Sequence, residues 1–507
     1  MMAASVFRRC IIRNCLVVKS CKHHPCSSKI CHKKMSSSQY DTHNTKSLFS
    51  ILGEFEVNSS SKRSVGSQQP WVSEEQVGNF CQRYQKLGVK EKAEVLLFLS
   101  ERCGVNHSDA MSAASVLAAA KDDPSIFTYE HRLQESLSPK YSHLFTMISR
   151  TPNGVKFLVD MRSNILDLLS TPLSQNEAEP LKHLNISLRG LLAHWFSTGL
   201  LNLQRITWQT SCDMLQKVSE YEAVHPVKNW LDLKNRVGAY RRCFVFTHNS
   251  MPTEPVVVLH TALTSDICSK IQSIVERTEG GDTLLDREDV NRINAAIFYS
   301  VTSTQRGLQG IDLGNYLIKT VVQKLRAEFP NMNVFSSLSP IPGFRDWLLQ
   351  EMNNTIRGST EELFLKEEQN SLQSLLNCKS ADFTTEMKQV IQSNTWNKSE
   401  TLNAALKLPL TRLCARYLYQ EKRRGYAVNP VANFHLRNGA TMWRINWLGD
   451  VSNRGLTASC GLMVNYRYFL DRTTNNSQMY VEQKHIDASS HVLNLLQPNH
   501  YNKTSKL

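Results

Sequence analysis

Three short segments hold the residue types that anion binding and proton transfer need. The first is the loop Arg306-Gly307-Leu308-Gln309-Gly310-Ile311-Asp312-Leu313-Gly314, between a strand-like run at 295–302 and a helical stretch at about 312–329. Its three glycines let backbone approach a ligand closely. The following helix presents free N–H groups and a positive dipole end, which suits a pyrophosphate. The loop is neither G-x-x-x-x-G-K-[ST] nor G-x-G-x-x-G, so those nucleotide motifs are excluded. Read alone, it is equally an ordinary glycine-rich turn. The second segment is 335–344, where Ser336, Ser337 and Ser339 end a predicted strand and Pro340 and Pro342 stiffen the exit. A hydroxyl held there can orient a carboxylate or thioester oxygen, although a strand-end serine often only bonds its own turn. No G-x-S-x-G elbow is present, which disfavours a hydrolase nucleophile. The third segment, 429–447, sets His435 among apolar neighbours on a predicted strand. Its imidazole can exchange a proton near neutral pH, or it is a histidine satisfied in the core. Asn438, Arg444 and Asp450 lie near it in sequence and are candidates for orienting it or binding phosphate.

The elements that must position these residues fall into two parts. From 73 to about 195 the apolar spacing is helical throughout, with segments at 95–99, 113–120, 143–149 and 154–169 punctuated by Gly104, Pro124, Pro139 and Pro152. This predicts an all-helical bundle without a chemistry motif, serving oligomer contact or framing the catalytic part. Beyond Gly199, strands are expected at 242–247 and 255–263, joined as a hairpin through the turn at 248–252. Further strands are expected at 295–302, 334–338, 434–435, 441–446 and 462–465, with a helix from about Gly343. Residues 353–400 are polar, and the charged run 361–368 reads as a solvated helix or loop insertion. The mixed order predicts an α+β chain.

The chain has 507 residues and a formal charge of +14. Eight cations and no acid lie in residues 1–40, leaving +6 on the rest, so a nucleic-acid-binding reading loses its main support. That acid-free, interleaved leader reads as a mitochondrial-type transit segment, or as a disordered basic arm. Met35 offers an alternative start that removes it. The last three residues, Ser505-Lys506-Leu507, match a peroxisomal address read by an import receptor. Matrix and peroxisome are therefore both expected, with cytoplasm for a form starting at Met35. None of the 13 cysteines forms a C-x-x-C, so free thiols are the default, with an intersubunit disulfide open. No run is long and apolar enough for a membrane span. The expected divisions are 1–40 leader, 41–72 linker with a short helix at about 45–52, 73–196 helical domain, 197–504 catalytic domain and 505–507 address.

The loop at 306–314 resembles, with a two-residue stretch, the acyl-CoA loop of GNAT acyltransferases. Taken with Glu222–Trp230, 335–344 and 429–469, including Ser459-Cys460-Gly461-Leu462-Met463 and Asn465-Tyr466-Arg467-Tyr468-Phe469, the chain from about 75 to 507 closely resembles the malonyl-CoA decarboxylase family. The resemblance implies a helical N-terminal domain followed by a GNAT-like mixed α/β catalytic domain. It implies conversion of malonyl-CoA to acetyl-CoA and carbon dioxide, no metal or organic cofactor, and a homo-oligomer, a tetramer by the same likeness. The family's catalytic serine, directly before Pro-Ile-Pro-Gly-Phe, corresponds to Ser339, and its histidine, in Asn-Phe-His, to His435. The malonyl-CoA contact stretch corresponds to Gln309, Gly310, Ile311, Asp312, Leu313, Gly314 and Asn315, together with Ser339 and His435. Asp312 stands where a mammalian member has Glu, so an acid is retained with a shorter reach. A GNAT-type acyltransferase and a non-catalytic acyl-CoA-binding protein remain the alternatives.

Overall fold

The computed structural model describes residues 73–120, 124–276, 288–311, 313–376 and 383–497, together with Gly53. The leader, the remaining linker with its expected helix, Asp312, Cys378 and the C-terminal tripeptide lie outside them. Among the described residues no helix is long and apolar enough to cross a membrane.

Among the described residues from 73 to 195, seven helices follow one another without a strand. They are α1 (Glu74–Lys86), α2 (Val89–Arg102), α3 (His107–Ala119), α4 (Ile126–Ser136), α5 (Tyr141–Ser149), α6 (Gly154–Leu169) and α7 (Gln175–Trp195). Capping boxes start α1 at Ser73 with Gln76 and α7 at Ser174 with Glu177. The apolar positions recur at helical spacing and face inward: Val77, Phe80 and Tyr84 on α1, and Leu181, Leu184, Leu188 and Leu192 on α7. Each such buried side chain contributes about 1.5–3 kcal/mol relative to exposure.

The second part is an eight-stranded sheet with flanking helices. Strand β1 (Leu201–Ile206) leads, followed by α8 (Cys212–Tyr221) and α9 (Trp230–Arg236). Then come β2 (Arg241–His248), β3 (Val257–Thr264) and β4 (Ala295–Ser303). These four strands pair antiparallel in chain order, and β2–β3 is the hairpin expected from the turn at 248–252. Sequence periodicity does not mark β1, because exposed Asn202 and Arg205 interrupt its apolar pattern at the sheet edge. Helix α10 (Gly314–Glu328) crosses over to β5 (Val334–Ser337), which pairs with β4 in parallel. The short β6 (Ser339–Pro340) and α11 (Phe344–Ile356) follow.

Helices α12 (Lys366–Leu376) and α13 (Phe383–Ser393) lie in the polar stretch, and the largely buried α14 (Glu400–Tyr419) follows it. The run at 361–368 is not simply solvated, as its charge had implied. Leu363 and Phe364 are buried, and Glu368 sits in the core with both oxygens taken by Arg412, at 2.9 and 2.7 Å. The chain ends with α15 (Pro430–Arg437), β7 (Thr441–Asn446), α16 (Asn453–Ser459), β8 (Met463–Arg467), α17 (Thr473–Gln483) and α18 (Ser490–Leu495). Strand β8 pairs antiparallel with β5, β6 and β7. Residues 434–435, expected as strand, belong to α15. The physical reason is the Asn429-Pro430 start: Asn429 caps the helix by accepting from Ala432 N, and Pro430 presets its first turn. One apolar core runs from α6 and α7 into the sheet, joining Leu158, Val159 and Ile165 to Phe298, Leu308 and Leu317.

Candidate active site

Strands β4 and β5 stay paired only from Ala295↔Val334 to Phe298↔Ser337. Beyond that register β4 runs on to Ser303 while the other chain turns through Leu338 into β6. The splay opens a cavity of about 530 Å³, walled by β4 on one side and by Ser339 and Pro340 on the other. His435, Phe434 and Val431 from α15 line one part of it, and Gln305, Arg306 and residues 308–311 of the loop line another.

At the α15 end, two bonds fix the serine and the histidine relative to each other. Asn429 Nδ2 donates to Pro342 O at 2.9 Å, tying the helix start to the turn that follows Ser339. Ser339 is held in β6 by pairing with Val464. His435 Nε2 then lies 2.9 Å from Ser339 Oγ. Ser339 Oγ donates to Ser337 Oγ at 2.8 Å, which commits its single proton. Nε2 therefore carries the hydrogen between imidazole and serine, and Nδ1 is the acceptor. Tyr468 Oη supplies that hydrogen at 2.6 Å. The Tyr466 ring stacks on the imidazole with centroids 4.5 Å apart at 16°. His435 is only 3% exposed, and burial pushes its imidazole down to about 3, so the ring is neutral at pH 7.

Residue type and spacing assign Tyr468 no role. The signal was the pair Tyr466 and Tyr468, two residues apart along an extended segment and so directed to one face. None of Asn438, Arg444 and Asp450 hydrogen-bonds the His435 imidazole among the described residues, although the Asn438 N–H donates to His435 O as the helix ends. Asn438 Nδ2 donates to Phe434 O at the end of α15. Arg444 is engaged by Asn446, Asn465 and Ile267 O. Asp450 accepts from Gln272 and Ser452 N.

At the loop end, Gln309, Gly310, Ile311 and Leu313 line the cavity, and Gly314 opens α10. The three glycines are not equivalent, which corrects the reading that all serve ligand approach. A Cβ on Gly307 would lie 1.8 Å from Val159 O of α6, so that glycine serves packing against the helical part. Gly310 has φ +80° and open space where a side chain would be. Arg306 also lines the cavity. Its Nη2 meets Asp167 Oδ1 at 2.7 Å, while its buried Nε has no hydrogen-bond partner among the described residues.

A second buried polar cluster backs β4. Glu222 accepts from the N–H groups of Val224 and His225, both at 2.8 Å, and from Ser300 Oγ at 2.9 and 2.8 Å. His260 Nε2 lies 3.4 Å from the same carboxylate. Burial holds His225 down at about 4 despite the raising influence of Glu222. Ser300 and Val224 reach the cavity wall, so this cluster braces the face opposite Ser339.

A buried, neutral Ser–His–Tyr chain beside a cavity with a glycine-rich loop can exchange a proton with a ligand held in that cavity. The comparisons with known proteins agree with the sequence likeness. Residues 199–506 match the family profile described as "Malonyl-CoA decarboxylase C-terminal domain", and 103–196 match "Malonyl-CoA decarboxylase N-terminal domain". The chain is 45% identical over 445 residues to "Malonyl-CoA decarboxylase, mitochondrial" of Anser anser anser, covering 86% of each chain. It is 48% identical over 436 residues to the protein of that name from Rattus norvegicus, covering 84% of this chain and 86% of the other. Among solved structures, malonyl-CoA decarboxylase from Agrobacterium vitis aligns with a TM-score of 0.74 at 29% identity, covering 88% of this chain and all of that one. The Rhodopseudomonas palustris structure of the same name gives 0.72, also at 29% identity, over 88% and 98%. Helical part, splayed sheet and both ends of the cavity thus occur together in a chain that belongs to the malonyl-CoA decarboxylase family, a family of carboxy-lyases.

Proposed function

We propose that the chain decarboxylates malonyl-CoA to acetyl-CoA and carbon dioxide, with Ser339 orienting the substrate and His435 protonating the enolate. The observation that carries this reading is the hydrogen-bonded line Tyr468–His435–Ser339 at the wall of the cavity. Loss of carbon dioxide leaves negative charge on the thioester enolate. Donors aimed at that charge lower the barrier, one such donor being worth about 3 kcal/mol. Ser339 Oγ suits a role in holding the carboxylate out of the thioester plane, where the breaking bond overlaps the carbonyl π system. A neutral ring with hydrogen on Nε2 suits delivery of that proton to the α-carbon. Tyr468 Oη then stands on Nδ1 to hand on a proton as the ring gives one up. Water finally restores the proton that the product methyl has taken.

The pyrophosphate of the substrate is assigned to the loop at Gln309–Leu313 and the start of α10, with the Arg306 cation beside it. Asp312, Gly314 and Asn315 join this assignment by family likeness. Delivery to the mitochondrial matrix fits the basic leader and the names of the relatives; delivery to peroxisomes rests on Ser505-Lys506-Leu507. A self-associating assembly, expected as a tetramer, rests on the family likeness.

The test is the fate of malonyl-CoA labelled at its free carboxyl, incubated without an acceptor amine. Label released as carbon dioxide with matching acetyl-CoA supports the decarboxylase. Acyl transfer that requires an amine, or tight binding without turnover, overturns it in favour of a transferase or a binding protein.

A further inference from the structure

Arg162 of α6 is a buried cation, 2% exposed, and no ion pair among the described residues includes it. All its partners are neutral oxygens. Nε donates to Asn185 Oδ1 at 3.1 Å, Nη1 to Gly307 O at 2.6 Å and Nη2 to Gln309 O at 2.9 Å. Two of the three acceptors thus belong to the cavity loop, which lies about 145 residues away in the chain. The same helix meets that loop at Val159, against Gly307, and at Asp167, against Arg306.

Burying an arginine without a carboxylate costs free energy, so the arrangement asks for a reason. The peptide unit between Gln309 and Gly310 supplies one. Its carbonyl accepts from Arg162, whereas its N–H, on Gly310, makes no hydrogen bond among the described residues. The N–H groups nearest to it are taken: Leu308 N donates to Gln305 O, Gln309 N to Arg306 O and Ile311 N to Leu308 O. In a trans peptide the carbonyl and the N–H point in opposite directions. A carbonyl turned toward α6 therefore turns the Gly310 N–H away from it, and Gly310 lines the cavity. A full charge on the carbonyl also polarises the amide and makes its N–H a stronger donor.

We infer that Arg162 is a positioning residue for the substrate: from the helical part it orients and polarises the Gln309–Gly310 peptide, so that the Gly310 N–H is presented to a phosphate oxygen of the acyl-CoA. This rests on the reading that the loop binds the pyrophosphate of the substrate. It gives the helical part a defined duty in substrate affinity, distinct from framing or oligomer contact.

The test compares two substrates, malonyl-CoA and malonyl-pantetheine, which lacks the pyrophosphate and the nucleotide. Both are assayed with the full chain and with Arg162→Met and Arg162→Lys, the latter keeping a cation that cannot reach both carbonyls as a fork. The expected result is a rise in KM for malonyl-CoA of about tenfold, the scale of one charge-assisted hydrogen bond. The kcat stays within about threefold, as for lost uniform binding, and KM for malonyl-pantetheine does not change. Should Arg162→Met fail to fold, Arg162→Lys carries the comparison. Equal increases for both substrates, or none for either, overturn the inference, since a merely structural role cannot single out the phosphate-bearing substrate. If the unaltered protein handles both substrates with the same KM, the loop reading fails first and the inference falls with it.

Discussion

The two ends of the cavity are built on different principles. At the α15 end every group is uncharged: hydroxyl, imidazole, hydroxyl, each satisfied by the next and all from the sheet-containing part. At the loop end the groups are cations and backbone, and their support comes from α6 of the helical part. The difference teaches where each property is stored. Proton transfer needs a neutral ring in a fixed tautomer, which burial and hydroxyl partners supply. Holding an anion needs donors with positive charge behind them. Changes at the first end should therefore fall on kcat, and changes at the second on KM.

The largest effect that would break this division is expected at Ser339. Ser339→Ala removes the hydroxyl that holds the His435 Nε2 hydrogen at the cavity wall and should lower kcat by roughly 10²–10³-fold with little change in malonyl-CoA binding, read by steady-state kinetics beside a direct binding measurement. Next is Tyr468→Phe, which leaves Nδ1 of His435 without its donor. A buried unsatisfied acceptor costs about 1–3 kcal/mol, so kcat should fall by about tenfold or more. An unchanged kcat there would remove Tyr468 from the proton line.

A third outcome concerns stability away from the cavity. Glu368→Gln breaks the buried pair with Arg412 and should lower the unfolding free energy by about 3 kcal/mol, followed by urea denaturation, while KM stays put. The pH dependence is smaller per unit. His435 and His225 are held down by burial to about 3 and about 4, and in the unfolded chain they titrate near 6.5. The unfolded state therefore takes up protons first as the pH falls. Stability from these two groups is complete above about pH 6.5 and is lost as pH drops toward about 4 for His225 and about 3 for His435, by up to about 1.4 kcal/mol per pH unit for each. Urea midpoints at pH 7 and pH 5 should show the loss, and His225→Gln should reduce it. The smallest effect is expected for Asp160→Asn, which breaks the exposed pair with Lys156 and should change stability by less than about 1 kcal/mol.

Much of this architecture was legible before the fold. Helical spacing marked α6 at 154–169, and the hairpin turn at 248–252 marked β2 and β3. The candidate pair, Ser339 and His435, is visible only through family likeness, and by residue type alone Ser339 cannot be told from Ser336 or Ser337. What separates them is direction. Ser336 bonds Tyr466 O inside the sheet, whereas Ser339 reaches His435. Apolar flanks are shared by buried strands and short buried helices, so spacing alone places His435 on a strand, and only the Asn429-Pro430 cap makes the segment helical. Arg162 gave no local signal, because its partners lie on another element far along the chain. The Glu222 cluster was hidden for the same reason: it joins α8, β3 and β4 through contacts that spacing cannot report.

The proposed chemistry depends on the proton held at His435 Nε2, and the most direct test is single-turnover decarboxylation by a folded His435→Ala variant loaded with malonyl-CoA. The predicted result is substrate binding within a few-fold of the unaltered protein and a decarboxylation rate lower by roughly 10²–10⁴-fold, the range for loss of a positioned acid. A variant that binds malonyl-CoA and releases carbon dioxide at nearly the original rate would contradict the account.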